Sequence, residues 1–311
     1  MQHFTIMADA FSDLGEELQK QYDIVVVPCH IMLPGGKDIP SFHTWEKFDR
    51  EKYYADLKND PQGFATSPAN VAEFMQAFEG PLSKGEDILL VTISAGISGT
   101  LGFAEQAKKE MLKKYPEAKI ACVDSRRFGP ALGLLAIYAS EQRAQGKSFE
   151  ETVEYLEKNK NCLHQAGWLD DLSFVAKKGR ISHAKAFFGT LAGVKPIGEF
   201  DYNGLTTVIG KAKGAKAAYK LLLHYVGKTG INLSEQTIVI AHTDRLEQAK
   251  VYADMLKEAF HPKDIRISEV FPMCSVSIGP GLMAAYYMGT PISEGLDSER
   301  AIIDEFLKAG K

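Results

Sequence analysis

No stretch of this chain approaches the ~20 consecutive apolar residues that a membrane-crossing helix requires. The longest apolar run, ALGLLAIYA at residues 131–139, suits a buried helix better. The opening MQHFTIMADAF has no basic segment followed by an apolar core, so no signal peptide is expected and a cytoplasmic location is. Cys29, Cys122, Cys162 and Cys274 form no C-x-x-C pair and no metal-ligand spacing. Reduced, mostly buried thiols are the expectation. An excess of positive charge is also missing: 36 Lys and Arg face 40 Asp and Glu, which gives no nucleic-acid footprint. There is no G-x-x-x-x-G-K-[ST] loop, and no G-x-G-x-x-G follows the first strand, so no recognisable nucleotide cradle exists. Internal repeats and low-complexity tracts are absent too.

What remains is an ordinary globular composition, 45% hydrophobic and 24% charged over 311 residues, enough for two domains each with its own core. FTIMAD reads as a strand, followed by a helix with Asp13 and Glu16 at capping-box spacing. DIVVVPCHIML reads as one buried strand, PGGKDIPS as a loop and WEKFDREKYYADLKN as a helix. In ATSPANVAEFMQAFEG, Ser67 is placed to cap a helix whose first residue is Pro68. DILLVTIS, AKIACVDS, HQAGWLDD, TIVIAHTD and DIRISEVFP are further strands, with amphipathic helical runs between them. Strand followed by helix, repeatedly, predicts an α/β fold with a parallel sheet covered on both faces.

SFEETVEYLEKNK opens on a capping box, Ser148 to Glu151, and leads toward a second domain. The boundary is expected near residue 164, giving domains 1–164 and 165–311. In the second, HAKAFFGTLAG reads as helical, VKPIGEFDYNGLTTVIGKAKG as a hairpin around Asn203-Gly204, and IGPGLMAAYYMG as a turn opening a helix.

The segment richest in chemistry is Thr92–Thr100, TISAGISGT, at a strand-to-helix handover. As a nucleophile elbow, G-x-S-x-G, it lacks the final glycine, since Thr100 follows Gly99. His164, His183, His224 and His242 sit in no recognisable triad setting, and structural roles suit them better than metal ligation. The simplest reading is a capped helix start, with Ser94, Ser98 or Thr100 satisfying orphan N–H groups. The competing reading is an anion seat. Hydroxyls recur at two other expected helix starts, Ala65-Thr66-Ser67-Pro68 and Ser275-Val-Ser277-Ile-Gly279-Pro-Gly281. In an open parallel sheet such starts gather at the carboxyl ends of the strands, where ligands bind. None of the three loops carries Lys or Arg, which fits a single carboxylate better than a triphosphate. Asp9 and Asp13 could form an acidic pair for Mg²⁺, but a capping role for Asp13 is at least as good. Lys177, Lys178, Arg180, Lys185 and Lys195 make a basic run whose lysines read as solvated surface, with Arg180 as an anion contact or docking residue. The run lacks the interleaved aromatics of a single-strand binder.

Taken together these stretches resemble the DegV family, bacterial fatty-acid-binding proteins that present acyl chains to a fatty acid kinase. The family's Asp-Ser-Thr-Ala-Asp-Leu opening reads here Asp9-Ala-Phe-Ser-Asp-Leu14, and its VVP is Val26-Val27-Pro28. Thr66-Ser67, Ile93-Ser-Ala-Gly-Ile-Ser-Gly-Thr100 and Val123-Asp124-Ser125 follow in order. Lys178-Gly179-Arg180-Ile181-Ser182 matches KGGRIS with one glycine missing, and Val194-Lys195-Pro196-Ile197 matches IKPI. Ala10 and Ala95 replace serines, and Ser277 replaces the histidine of Thr-His-x-Gly-Pro-Gly, removing a positive charge.

The resemblance implies a two-domain DegV-like fold, an N-terminal parallel-sheet α/β domain and a C-terminal α/β domain with a β-hairpin, with a fatty acid held between them. It implies a carboxylate seat at Thr66, Ser67, Ser94, Gly96, Ser98, Ser277 and Gly279, with Arg180 and Lys178 near the head group or at a kinase-docking face. No catalytic residue, cofactor, metal, nucleic acid or stable membrane insertion is expected. A buried carboxylate must be hydrogen-bonded, and hydroxyls with N–H groups can do this without an ion pair. The tail supplies affinity: ~0.8 kcal/mol per CH₂ over roughly fourteen methylenes is about 11 kcal/mol before ordering costs. The rival reading is an enzyme, a small-molecule kinase subunit or a hydrolase, using the same hydroxyl-rich cleft. A third is a binding protein for a different amphipathic carboxylate.

Overall fold

The computed structural model describes residues 4–41, 45–182 and 193–309. The chain divides into two compact units, Met1–Lys160 with Phe271–Val276, and Asn161–Val270 with Ser277–Lys311. The short return of Phe271–Val276 into unit 1 has visible causes. The Tyr53 hydroxyl lies 2.9 Å from Ser275 Oγ, and the Cys274 thiol donates to the carbonyl of Phe11 at 3.4 Å.

Unit 1 is built on four strands, β1 (Phe4–Asp9), β2 (Ile24–Val27), β6 (Asp87–Thr92) and β7 (Ile120–Asp124), all parallel in the order β2-β1-β6-β7. Every residue of β1 and β6 is buried, as expected for central parallel strands covered on both faces. Helices α1 (Glu16–Tyr22), α2 (Arg50–Asn59), α3 (Val71–Leu82), α4 (Thr100–Lys114), α5 (Pro130–Ala144) and α6 (Phe149–Asn159) complete the layers. Met7, Val27, Ala69, Phe74, Phe78, Leu90 and Met111 share one core beneath α3 and α4. A second, antiparallel sheet is formed by β3 (Cys29–Leu33), β4 (Lys37–Ser41) and β5 (Ala65–Ser67) in the order β4-β3-β5.

Several local expectations are corrected here. The run read as one strand is two, β2 and β3, in different sheets; Pro28 separates them, having no N–H to continue a ladder. The segment read as a loop, residues 34–41, mostly forms β4, turned by Gly35 and Gly36 at φ +84° and +79°. The expected helix beginning at Trp45 starts at Arg50, after a 3-10 turn, with Asp49 as its cap. Ser67 does not cap α3: it ends β5, and Asn70 caps the helix in a box with Glu73. Asp13 does not cap α1, which starts from Gly15. Asp13 instead closes the 3-10 turn Ala10–Ser12 at φ +52° and is buried. The Ser148–Glu151 box is present with both of its bonds.

Unit 2 holds a seven-stranded mixed sheet. Its strands are β8 (Leu163–Leu169), β9 (Ile181–Ser182), β10 (Val194–Phe200), β11 (Thr206–Lys213), β12 (Thr237–His242), β13 (Asp264–Glu269) and β14 (Leu282–Met288), ordered β13-β12-β14-β8-β10-β11-β9. Helices are α7 (Leu172–Lys177), α8 (Ala215–Thr229), α9 (Leu246–Phe260), α10 (Pro272–Ile278, which belongs to unit 1 up to Val276) and α11 (Asp297–Ala309). The hairpin at Asn203-Gly204 is present as antiparallel β10 and β11. LMAAYYM, expected as a helix, is the fully buried β14, antiparallel to both β12 and β8. Seven apolar residues between Gly281 and Gly289 carry no helical period, and only a sheet satisfies their backbone in the interior. The helical reading of HAKAFFGTLAG lies outside the described residues.

Candidate functional site

The carboxyl ends of β1, β6 and β7 are locked by carboxylates that accept backbone N–H groups. Asp9 ends β1; its Oδ1 accepts from Phe11 N at 2.9 Å and its Oδ2 from Ile93 N at 2.6 Å, one residue past β6. Burial pushes the Asp9 carboxyl up to about 7, against the pull of those two N–H groups. Asp124 ends β7, and its Oδ1 accepts from Ala95 N at 3.1 Å and Arg126 N at 2.9 Å. Between these anchors the loop folds on itself. Ser94 is buried, and its carbonyl accepts from Ile97 N at 3.2 Å and Ser98 N at 3.1 Å. Gly96 N donates to Ser94 Oγ at 3.1 Å, and Ser98 Oγ lies 2.8 Å from Thr100 Oγ1.

This arrangement answers the two local readings of the loop. Helix α4 starts from Gly99, which has no side chain to cap it, and Ser98 Oγ, one residue earlier, accepts from Thr100 N, the first N–H of the helix, at a long 3.4 Å. Among the described residues neither Ser94 nor Ser98 shares a hydrogen bond with a histidine. What the loop offers is a set of neutral donors at a helix N-terminus, suited to one negative charge.

Thr66 and Ser67 sit half-buried on β5, paired to Ile31 and His30 of β3. A chain of contacts joins this strand to the Ser94 loop. The buried Cys29 thiol is pushed up by burial and by Asp9, and the N–H groups of Ala10 and Ala69 draw it partly back. Ala69 lies two residues beyond Ser67, and Asp9 itself holds Ile93 N.

One charged residue of this region went unnoticed in the sequence. Arg127 is fully buried, and is the sole buried Lys or Arg among the described residues. Its carbonyl accepts from Ser94 N at 2.9 Å, its N–H donates to Ser125 Oγ at 2.9 Å, and its Nη1 donates to the Arg126 carbonyl at 2.7 Å. Arg126 adopts φ +52°, which turns that carbonyl inward toward the guanidinium. VDSRRFG carries no local signal that sets Arg127 apart from Arg126; the burial of Arg127 is decided by the packing around the turn.

A family model described as an uncharacterised protein of the DegV family matches residues 3–289. The chain belongs to the DegV family. A DegV domain-containing protein of Clostridium perfringens is 32% identical over 289 residues, 93% of this chain and 98% of the relative. Among solved structures, a fatty-acid-binding DegV family protein from Thermus thermophilus superposes with a TM-score of 0.82 at 22% identity, over 93% of this chain and 100% of that one. The Streptococcus pneumoniae fatty acid kinase B3 protein, solved with linoleic acid, gives 0.77 at 22% identity, over 92% and 99%. At such identity the likeness concerns the fold, which is the DegV fold in both units.

The remaining DegV-like positions lie in unit 2. Ser277 is inside the last turn of α10, not at a helix start as expected. Gly279 has φ +75°, and a Cβ there would stand 2.7 Å from the Phe174 ring. Lys178 is half-buried and Arg180 exposed, on a turn made by Gly179 at φ +72°; the Arg180 guanidinium donates to the Lys178 carbonyl. Lys195 does not read as free surface: its ammonium pairs with Asp170, which also accepts from Arg245 Nε at 2.8 Å. Burial pushes the Asp170 carboxyl up, but these two cations outweigh it and hold the group below the usual range. His164, fully buried, lies 2.7 Å from both Glu199 Oε2 and the Thr290 carbonyl, and His242 Nδ1 accepts from Arg245 N at 3.3 Å. Among the described residues no group of three His, Cys, Asp or Glu side chains converges on a metal position, and no helix is long and apolar enough to cross a membrane.

Proposed function

We propose that this DegV protein binds a long-chain fatty acid and presents its carboxylate to a partner fatty acid kinase in the cytoplasm, without itself performing chemistry. The observation that carries the reading is the hydroxyl loop of unit 1. Ser94 Oγ accepts from Gly96 N, and Ser98 Oγ accepts from Thr100 N at a long 3.4 Å and lies beside Thr100 Oγ1. As hydroxyls, Ser94 and Ser98 keep an O–H to offer an anion. Thr66 and Ser67, whose hydroxyls make no hydrogen bond among the described residues, are tied to the same strand ends through Cys29 and Asp9. Hydroxyls and N–H donors in a partly buried setting stabilise one carboxylate by hydrogen bonds without an ion pair. The proteins of known structure that share this fold include ones solved with linoleic acid and with heptadecanoic acid, which supports the ligand class. The kinase partner is inferred from the name of the B3 protein, and Arg180 with Lys178 on unit 2 is proposed as its docking face.

Organic extraction of purified protein followed by mass spectrometry tests this directly. One equivalent of a long-chain acid is expected. Thr66→Ala and Ser98→Ala each weaken binding of palmitate about tenfold to 150-fold, the range of a hydrogen bond to a charged group, with unchanged melting. A protein that carries no acid and hydrolyses an ester would overturn the reading.

A further inference from the structure

Two carboxylates flank a single imidazole in unit 1. His30, on β3, has Nδ1 3.2 Å from Asp38 Oδ1 on β4 and Nε2 2.8 Å from Glu73 Oε1 on α3. A neutral imidazole carries one N–H, so it can donate to only one of the two and must set lone pair against lone pair at the other. The imidazolium donates to both. Burial of the ring works against its charge, but hydrogen bonds and charges from Glu73 and Asp38 outweigh it and raise the group above its ordinary 6.5.

Glu73 is a junction. Its second oxygen accepts from Asn70 N at 2.7 Å while its own N–H donates to Asn70 Oδ1 at 3.1 Å, closing the box that starts α3. On its other side, His30 pairs through its backbone with Ser67, and the neighbouring Ile31 pairs with Thr66. The stretch Thr66–Asn70 is therefore gripped twice by one residue, by ladder pairing at its start and through Glu73 at its end. The strand it begins on is three residues long and lies at the edge of a three-stranded sheet, so little else fixes it.

We propose that His30 is a positioning residue for the carboxylate seat: its doubly bonded imidazolium holds the strand bearing Thr66 and Ser67, and loss of that proton releases the bound acid. The inference rests on the reading that those hydroxyls hold the head group. Its sign follows from the partners. A histidine raised in the folded state contributes its bracing in full below 6.5 and loses it as pH rises through the higher folded value. The charged groups facing the ring are Asp38 from β4 and Glu73 from α3. β5 adds only Ala65, Thr66 and Ser67, and the adjoining Cys29 thiol is pushed too far up to titrate alongside it.

The experiment measures dissociation of palmitate and of hexadecanol, which has no titrating head group, from the full chain between about pH 6 and about pH 8.5. For wild type, both ligands leave about tenfold faster at the upper pH, the size of one lost charged hydrogen bond. His30→Gln removes the dependence and stays at the fast rate, and Asp38→Asn moves the transition to lower pH. Hydrogen exchange over residues 28–33 and 65–70 of the unliganded wild type, corrected for intrinsic rates, reports the same loosening without any variant. A wild-type rate flat in pH with tight palmitate binding overturns the inference and leaves the head-group reading standing, as does a His30→Gln profile like that of wild type. If wild type binds no palmitate at any pH, the head-group reading falls instead, and the exchange profile alone decides the latch.

Discussion

The backbone N–H of Ser94 donates to the carbonyl oxygen of Arg127 at 2.9 Å, so the hydroxyl loop after β6 is bonded to the turn after β7, and Arg127 on that turn is fully buried. A buried cation on a turn that is bonded to the hydroxyl loop favours a negative charge held nearby.

Arg127→Met therefore weakens palmitate binding by about tenfold or more, while hexadecanol affinity changes by less than about threefold. Calorimetric titration of both ligands checks this. Equal losses for acid and alcohol would mean that Arg127 only shapes the turn.

Asp9 makes stability depend on pH in an unusual direction for a carboxylate. Its folded value near 7 exceeds the ordinary 3.8, so its contribution is fully present below 3.8 and is lost as pH rises toward 7. Three units correspond to roughly 4 kcal/mol. Urea denaturation across this range is expected to show the stability of wild type falling steadily relative to that of Asp9→Asn as pH rises; a constant difference would contradict it.

Gly133 lies inside α5, where alanine would normally add about 1 kcal/mol of helix stability. Here a Cβ would stand 2.4 Å from the Ser12 carbonyl and 3.1 Å from the Leu14 side chain. The clash with backbone wins, and Gly133→Ala lowers stability by about 2 kcal/mol or more by chemical denaturation.

Asn70 and Ser67 separate the observed cap of α3 from the expected one. Asn70→Ala costs about 1 kcal/mol of stability, and Ser67→Ala costs close to none while still weakening ligand. Thermal melts of the two variants, read beside palmitate titrations, check both halves.

Much of this was open to inspection in the chain. Continuous apolar runs such as FTIMAD and DILLVT are buried along their whole length, and the Asn203-Gly204 turn and Ser148–Glu151 box stand where their residues put them. Helix α11 was passed over although Ile302, Ile303, Phe306 and Leu307 follow a helical period. The hydroxyl motif was legible as well, but its recurrence is only partial. Of three expected hydroxyl-bearing helix starts, only Thr92–Thr100 has its last hydroxyls at the helix start itself; Thr66 and Ser67 end a strand shortly before the Asn70 cap of α3, and Ser275 and Ser277 are inside α10.

Local sequence determined what short-range forces decide: apolar period, turn glycines, capping pairs and the order of motifs that marks the DegV family. Tertiary structure alone decided which polar groups are left to meet a ligand. Ser67 loses the cap to Asn70 because its backbone pairs with His30, a residue 37 positions away. Asp9 reaches Ile93, Asp124 reaches Ala95 and Arg127 reaches Ser94 because parallel pairing brings the ends of β1, β6 and β7 side by side. Hydrogen bonding is a competition among all nearby donors and acceptors, and neighbours in space are fixed only when the sheet has closed.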